Sequence, residues 1–571
     1  MSHPFSFSPK RRSILVSTAL ALFLPAFSLA AGAGPFKHAI VVAAEPDAAA
    51  AGLKVLREGG DAADAAVAVQ AVLGLEEPQS SGLGGGAFMI YHDAKTGRTT
   101  AYNGRETAPA AAGKDLFVGP DGKPLDFISA ILSGRSTGAP GAVAMLALAH
   151  REHGKLPWSR LFADATALAQ NGFKVPPRMG AAMNMTFFPQ TGTPDAKAYF
   201  SKADGSRYKA GDTMRNLAYA ATLRRLAKEG PSALYSGRIA ADIAAKVREG
   251  AIPGALNVSD LARYRPEETP ALCRAYRSLT ICSAPAPSGG LGLMELMGIL
   301  KHTDIASRGP KDPAAWLTFV QASRLMYADR DYYEGDPDFV QVPTKGLLDA
   351  SYDGARASLI AALGAAAPAP GHPPGATHEG ADATSEPGGT TQFVIVDAAG
   401  DAVSMTTTVE SIFGSGRMVD GFFLNNQLTD FSFSAHAPGG LSPANAPGSD
   451  KRPRSSMAPA IVLDRHGRLV AAIGTPGGNS IIAFVAKALV GFIDWRLPLQ
   501  DAVALPNLFA RGKTVSIEAG TDPGIVTFLK ERGLPVRADV GENSGLNGVA
   551  ATPAGYMGAA DPRREGVAVG Y

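Results

Sequence analysis

The 571-residue sequence predicts an α+β fold, a layered αββα sandwich, on three observations. Ala-rich helical stretches fill much of the first half, a strongly β sequence begins abruptly at Thr390, and the strands there are apolar on both sides. Such strands need cover on both faces, which a sheet between a second sheet and a layer of helices obtains. Hydrophobic residues make up 46% and charged residues 19%, a globular balance. The formal net charge of +2 is too small to point to nucleic acid or an acidic membrane surface.

Taken in order, the chain opens with Lys10, Arg11 and Arg12 before an apolar run over 14–29 and a small-residue end at 28–33. This reads as a secretory signal peptide over 1–33. The run is shorter than the roughly twenty residues that span a bilayer, and Arg11-Arg12 permits a twin-arginine route. The pattern implies an exported protein, periplasmic or secreted, with no membrane span after the leader is removed. Residues 46–56 and 61–73 read as helices: Pro46 suits a first turn, Gly59-Gly60 stops the first helix, and Asp61 caps the second. Gly84-Gly85-Gly86 then leads into a strand, and further helical stretches follow to about Ala328. The two cysteines, Cys273 and Cys282, lie in a hairpin pattern turning at Arg277-Ser278. That register sets 273 opposite 282 at a non-hydrogen-bonded position, where Cα atoms about 4.5 Å apart suit a disulfide; two reduced, half-buried thiols are the other reading.

Residues 362–389, rich in Ala, Gly and Pro, read as a flexible linker. Beyond it, Asp397 and Asp401 flank the loop Ala398-Ala399-Gly400, and a symmetric hairpin puts Thr408 beside Thr390. If the chain is cut between Gly389 and Thr390, the freed α-amine can serve the Thr390 hydroxyl as a base, its ordinary pKa being about 7.7–8. Thr408 would orient that hydroxyl. Taken alone, β-propensity is the better reading of these threonines. A second element runs from a strand at 469–474 through Gly477-Gly478 into a helix over 479–490, leaving bare N–H groups for an oxyanion or other anion. Gly134-Arg-Ser136-Thr-Gly138 fits a nucleophile-elbow pattern but lacks the preceding strand.

The motifs together resemble the bacterial gamma-glutamyltransferase family of N-terminal-nucleophile hydrolases. They are Ser81-Gly-Leu-Gly-Gly-Gly, Asn103-Gly-Arg-Glu-Thr-Ala-Pro, Pro285-Ala-Pro-Ser-Gly-Gly, Tyr327-Ala-Asp-Arg-Asp, Thr390-Thr, Leu424-Asn-Asn-Gln-Leu-Thr-Asp, Lys451-Arg-Pro-Arg-Ser-Ser and Gly474-Thr-Pro-Gly-Gly. The resemblance implies a four-layer αββα sandwich formed by two subunits of one self-cleaved precursor, a large one over 34–389 with a flexible tail at 362–389 and a small one over 390–571. It implies that Thr390 takes the γ-glutamyl group from glutathione or a related donor and passes it to water, an amino acid or a peptide. Arg105, Ser455 and Ser456 would hold the donor's α-carboxylate, Gln427 and Asp430 its α-ammonium, and Gly477 and Gly478 the oxyanion. No metal or cofactor is implied, and the histidines show no zinc spacing.

Two positions depart from the family. Glu410 stands where many members have Asn, and a carboxylate there also suits an ammonium. The lid stretch 434–450 has no Phe, Tyr or Trp, which implies a more open site. An acylase acting on glutaryl side chains is the alternative chemistry, and an uncleaved binding protein the alternative class.

Overall fold

The computed structural model describes residues 35–377, 380–382, 384–434, 440–540 and 544–571. The leader expected at 1–33 and the middle of the lid stretch lie outside these residues. Strand β1 (Ile40–Ala43) feeds helices α1 (Pro46–Arg57) and α2 (Ala62–Glu76). Pro46 opens α1 and Asp61 caps α2 by accepting from Asp64 N at 2.8 Å, with Asp64 returning the bond. This reciprocal box satisfies two otherwise orphaned N–H groups. Further strands are β2 (Gly86–His92), β3 (Thr99–Gly104), β4 (Glu267–Pro270), β5 (Leu272–Tyr276), β6 (Leu279–Ser283), β7 (Thr390–Val396) and β8 (Ala402–Thr408). They continue with β9 (Ala460–Leu463), β10 (Leu469–Gly474), β11 (Asn547–Thr552), β12 (Gly555–Ala560) and β13 (Val567–Gly570).

Among the described residues these strands form a seven-stranded sheet in the order β13-β1-β7-β8-β2-β3-β4 and a six-stranded sheet in the order β12-β11-β10-β9-β6-β5. Every pairing in both is antiparallel. The side-chain alternation of β7 and β8 sets what each face meets. Phe393, Ile395, Val403 and Met405 pack with α1 and α2, whereas Val394, Val396 and Ala402 share a core with Ile461, Ile473 and Val549 of the second sheet. That second core continues into α3 (Gly290–Lys301), α4 (Pro313–Tyr333) and α5 (Ile481–Leu489). Each fully buried Val, Ile or Phe here is worth about 1.5–3 kcal/mol. A one-residue slip of β7 would exchange its two faces, so burial fixes the register.

The hairpin register is the one expected from the symmetric loop: Thr408 pairs with Thr390 and Ala402 with Val396. Asp397 Oδ1 accepts from Ala399 N and Asp401 N, and its Oδ2 accepts from Ala62 N at the start of α2. The β5–β6 hairpin likewise pairs Cys273 with Cys282, and the two are disulfide-bonded with Cα atoms 4.0 Å apart. The expected helix over 479–490 is broken more finely: a 3-10 turn at Gly478–Ser480 precedes α5, and a wide π turn follows at Val490–Asp494. Ser136 is buried and bonds to Ile131 O and Ser133 O, behind the helix Phe127–Leu132. It is a local cap, not an exposed elbow.

Candidate active site

Thr390 begins β7 and is 5% exposed. Its Oγ1 donates to Thr408 Oγ1 at 3.1 Å. Thr408 Oγ1 donates in turn to Gly389 O at 2.8 Å and accepts from Glu410 N at 2.7 Å. One hydroxyl thus joins the side chain of Thr390 to the carbonyl immediately before it. The backbone passes so close that a Cβ on Gly389 would lie 2.2 Å from Glu410 O. Glu410 itself sits at φ +81°, a left-handed turn that ends β8 and aims its N–H at Thr408. Asn426 supports this turn, accepting from Ser411 N and donating to the Glu410 carboxylate.

Beside this pair lies a buried ionic group. Arg105, 1% exposed, follows β3 and donates through Nη2 to Asp430 Oδ2 at 2.6 Å and to Arg454 O at 2.6 Å, and through Nε to Pro453 O at 3.0 Å. Its backbone is tied by Asn103 Oδ1 and by the Tyr264 hydroxyl. Gln427 Nε2 also donates to Asp430 Oδ2, at 2.6 Å. Asp430 Oδ1 and Glu410 Oε1, both buried, accept nothing from the described residues. Two bare carboxylate oxygens therefore share one cavity with a guanidinium. Burial lifts Asp430 to about 6 against the pull of Arg105. Burial, and then the Asp430 charge, lift Glu410 well above the ordinary carboxylate range.

The opposite wall comes from 451–458 and the start of α5. Ser455 N bonds to Pro287 O and Met457 O accepts from Gly289 N, so the Pro285-Ala-Pro-Ser-Gly-Gly segment holds the two serines in place. Ser455 Oγ accepts from Met457 N, and Ser456 Oγ finds no partner among the described residues. Gly478 adopts φ +55°, where only glycine sits without strain, and a Cβ there would lie 2.2 Å from Glu386 O. Thr390, Thr408, Arg105, Glu410, Gln427, Asp430, Ser455, Ser456 and Gly478 all line one cavity of about 20 Å³. That volume is room for about one water. Gly477 lines an adjoining cavity of about 240 Å³ together with Asn479 and Phe509. The segment Ser385 to Gly388 lines the larger cavity, and its Glu386 and Pro387 line both.

The residues singled out from sequence motifs therefore converge on this cavity, apart from Gly477, which lines the adjoining one beside Gly478. What sequence reading did not find is Glu386 inside the site, and the asparagines Asn426 and Asn445 behind it. Glu386 sits in a stretch of Ala, Gly and Pro, and no spacing in the sequence singles it out.

The family model for gamma-glutamyltranspeptidase matches residues 48–571. The glutathione hydrolase proenzyme of Escherichia coli (strain K12) is 34% identical over 539 residues, covering 92% of this chain and 90% of its own. The acylase ACY 1 proenzyme of Pseudomonas sp. (strain SE83) is 31% identical over 540 residues, with 93% of each chain covered. The structure of cephalosporin acylase from Bacillus halodurans superimposes with a TM-score of 0.81 over 100% of this chain and 99% of that one; at 24% identity this speaks to fold alone. Matched along almost its whole length, the chain belongs to the gamma-glutamyltranspeptidase family.

Proposed function

We propose that the protein is a self-processing gamma-glutamyltransferase and glutathione hydrolase with Thr390 as its nucleophile. The observation that carries this reading is the pairing of the Thr390–Thr408–Gly389 hydrogen-bond chain with Arg105 and two bare carboxylate oxygens in one cavity. An α-amino acid head group carries a carboxylate and an ammonium on one carbon, and this is its electrostatic complement. Its carboxylate would turn to Arg105, Ser455 and Ser456, and its ammonium to Asp430, Glu410 and Gln427.

The hydrogen bonds support a route for self-cleavage. Thr390 Oγ1 adds to the Gly389 carbonyl carbon while its proton passes to Thr408 Oγ1 and the Thr408 proton passes to the Gly389 oxygen. Collapse breaks the Gly389 C–Thr390 N bond and returns that proton to the departing amine, leaving an ester between Gly389 and the Thr390 side chain. Water hydrolyses the ester to a Gly389 carboxylate and a free N-terminal Thr390. In turnover the α-amine of Thr390 takes the hydroxyl proton, Oγ1 attacks the γ-glutamyl amide, and the N–H groups of Gly477 and Gly478 receive the oxyanion. The leaving amine departs with the proton, and water, an amino acid or a peptide accepts the γ-glutamyl group.

The mature enzyme is then a large subunit over 34–389 and a small one over 390–571, building a four-layer αββα sandwich together. The strand order supports this, since β1 lies between β13 and β7 and β6 lies beside β9, so both sheets interleave the two pieces. The leader pattern at 1–33 and the disulfide favour an exported, periplasmic or secreted, location. No helix among the described residues is long and apolar enough to cross a membrane.

Purified wild type sequenced from its N-termini beside Thr390→Ala tests the reading: two chains, the smaller starting at Thr390, with an intact variant, are expected. An intact wild type would overturn it. A lid stretch without aromatics, together with the acylase relative, favours a second reading in which glutaryl amides are the donors. Asp430→Ala separates the two, because a glutaryl group has no ammonium and its hydrolysis would survive.

A further inference from the structure

We infer that Glu386, four residues before the scissile bond, is a positioning residue for self-cleavage: its buried carboxylate anchors the segment that carries the Gly389 carbonyl to Thr390. The inference rests on the reading that the chain cuts itself between Gly389 and Thr390. Its ground is a set of contacts that sequence motifs do not announce. Glu386 Oε1 accepts from Arg330 Nη2 at 2.8 Å and Oε2 from Ser456 N at 2.8 Å, while Arg454 Nε stands 4.0 Å away. The Glu386 carbonyl accepts from Asn479 N at 3.0 Å. Both ends of the residue are therefore gripped, by α4, by the serine wall and by the turn into α5.

Neighbouring anchors agree in direction. Asp382 pairs with Arg454 at 3.0 Å and accepts from Asn445 Nδ2, and Thr384 O accepts from Arg511 Nη1. Downstream of Glu386, only Pro387, Gly388 and Gly389 separate this grip from the Thr408 hydroxyl that holds the scissile oxygen. Three residues reach at most about 10 Å, and two of them are glycines, which left alone sample many conformations. A short, pliant stretch held at both ends keeps the Gly389 carbonyl turned so that its oxygen meets the Thr408 hydroxyl, and here the upstream hold is Glu386. The charge is kept on: burial alone would raise this carboxyl, but Arg330 and then Arg454 hold it down at about 2.

The test follows the first-order conversion of the intact chain to two fragments from the moment of cell-free synthesis, for wild type, Glu386→Gln and Glu386→Asp. Glu386→Gln keeps the shape and removes the charge. It is expected to slow conversion about 10²-fold, as a misplacement of about 1 Å at a reacting centre does. Glu386→Asp keeps the charge and is expected to fall between the two. Melting of the same substitutions in the uncleavable Thr390→Ala background reads the fold separately, and the midpoints are expected to stay within a few degrees. Conversion of Glu386→Gln at the wild-type rate would overturn the inference, as would equal slowing by Gln and Asp. So would loss of the cooperative transition in the Thr390→Ala background, which would make the residue part of the general fold. A wild type that never cleaves would instead remove the underlying reading.

Discussion

Replacing Thr408 by Val tests the centre of the site with the smallest change of shape. Val fills the same space, so packing of the hairpin is kept, and only the hydroxyl is lost. That hydroxyl accepts from Thr390 Oγ1 at 3.1 Å and Glu410 N at 2.7 Å and donates to Gly389 O at 2.8 Å. The last bond goes to the carbonyl oxygen that takes on negative charge as Thr390 attacks its carbon. Removing one such donor typically costs about 2.7–4 kcal/mol, or 10²–10³ in rate. In the resting chain the loss leaves a buried N–H and a buried carbonyl short of a partner, about 1–3 kcal/mol for each group left unsatisfied. Thr408→Val should therefore slow self-cleavage about 10²–10³-fold, while Thr408→Ser, which keeps the hydroxyl, stays within about tenfold of wild type. A gel time course of freshly made chain measures the rate. Melting in the Thr390→Ala background measures the stability loss, so that slow chemistry is not confused with poor folding. Cleavage of Thr408→Val at the wild-type rate would refute the assignment of this hydroxyl to the scissile carbonyl.

Gly478→Ala should block self-cleavage, because its Cβ would lie 2.2 Å from Glu386 O and its φ of +55° is strained for alanine; an N-terminal sequence beginning at Thr390 in that variant contradicts this. Asp430, raised to about 6 by burial, should make kcat/KM for an ammonium-bearing donor fall about tenfold per pH unit below that value, as its proton displaces the donor's cation. The same profile measured with a glutaryl donor should lack that limb. Lys487, wholly buried and donating to Val503 O and Leu505 O, is lowered by burial to about 7. The unfolded chain then binds the extra proton between about 7 and 10.5, so this group adds stability as pH rises through that window. Thermal midpoints should climb more steeply from pH 7 to pH 10 in wild type than in Lys487→Met, and parallel curves would argue against it.

Local rules carried far in this sequence where each had a single physical outcome. The Asp397–Asp401 loop and the alternation of β7 and β8 suffice to set Thr390 against Thr408, because a one-residue slip would move Phe393 and Ile395 out of the core they share with α1 and α2 and into the one between the sheets. The same holds for Cys273 and Cys282, where counting back from a two-residue turn leads to the bonded pair. Arg277 accepts φ +54° there without being glycine, its guanidinium held by the buried Asp494. Convergence of Arg105, Asp430 and Ser455 was legible only through family motifs. These residues are hundreds of positions apart, and their meeting depends on Asn103, Tyr264 and the Pro285 segment, which serve as supports and carry no spacing of their own. Glu386 was not legible at all. A lone acidic residue in a linker reads as solubilising until Arg330 is seen opposite it.

The group around Arg330 bears on why such a residue stays buried. Arg330 contacts Glu386 at 2.8 Å, Asp331 at 3.5 Å and Glu334 at 3.6 Å, and Arg454 joins through Asp382. Glu334, raised by burial to about 7, has neither carboxylate oxygen hydrogen-bonded among the described residues. A buried network of this kind seldom gains stability over apolar residues of the same volume, since the desolvation of each ion offsets its attraction. What it does supply is direction. An apolar core would hold the segment before Thr390 somewhere near the site, whereas two arginines facing one carboxylate fix it to a point. A carbonyl that must meet one hydroxyl for a single chemical event needs the point. By this argument the ionic network belongs to maturation more than to folding, and its removal should show first in the rate of cleavage.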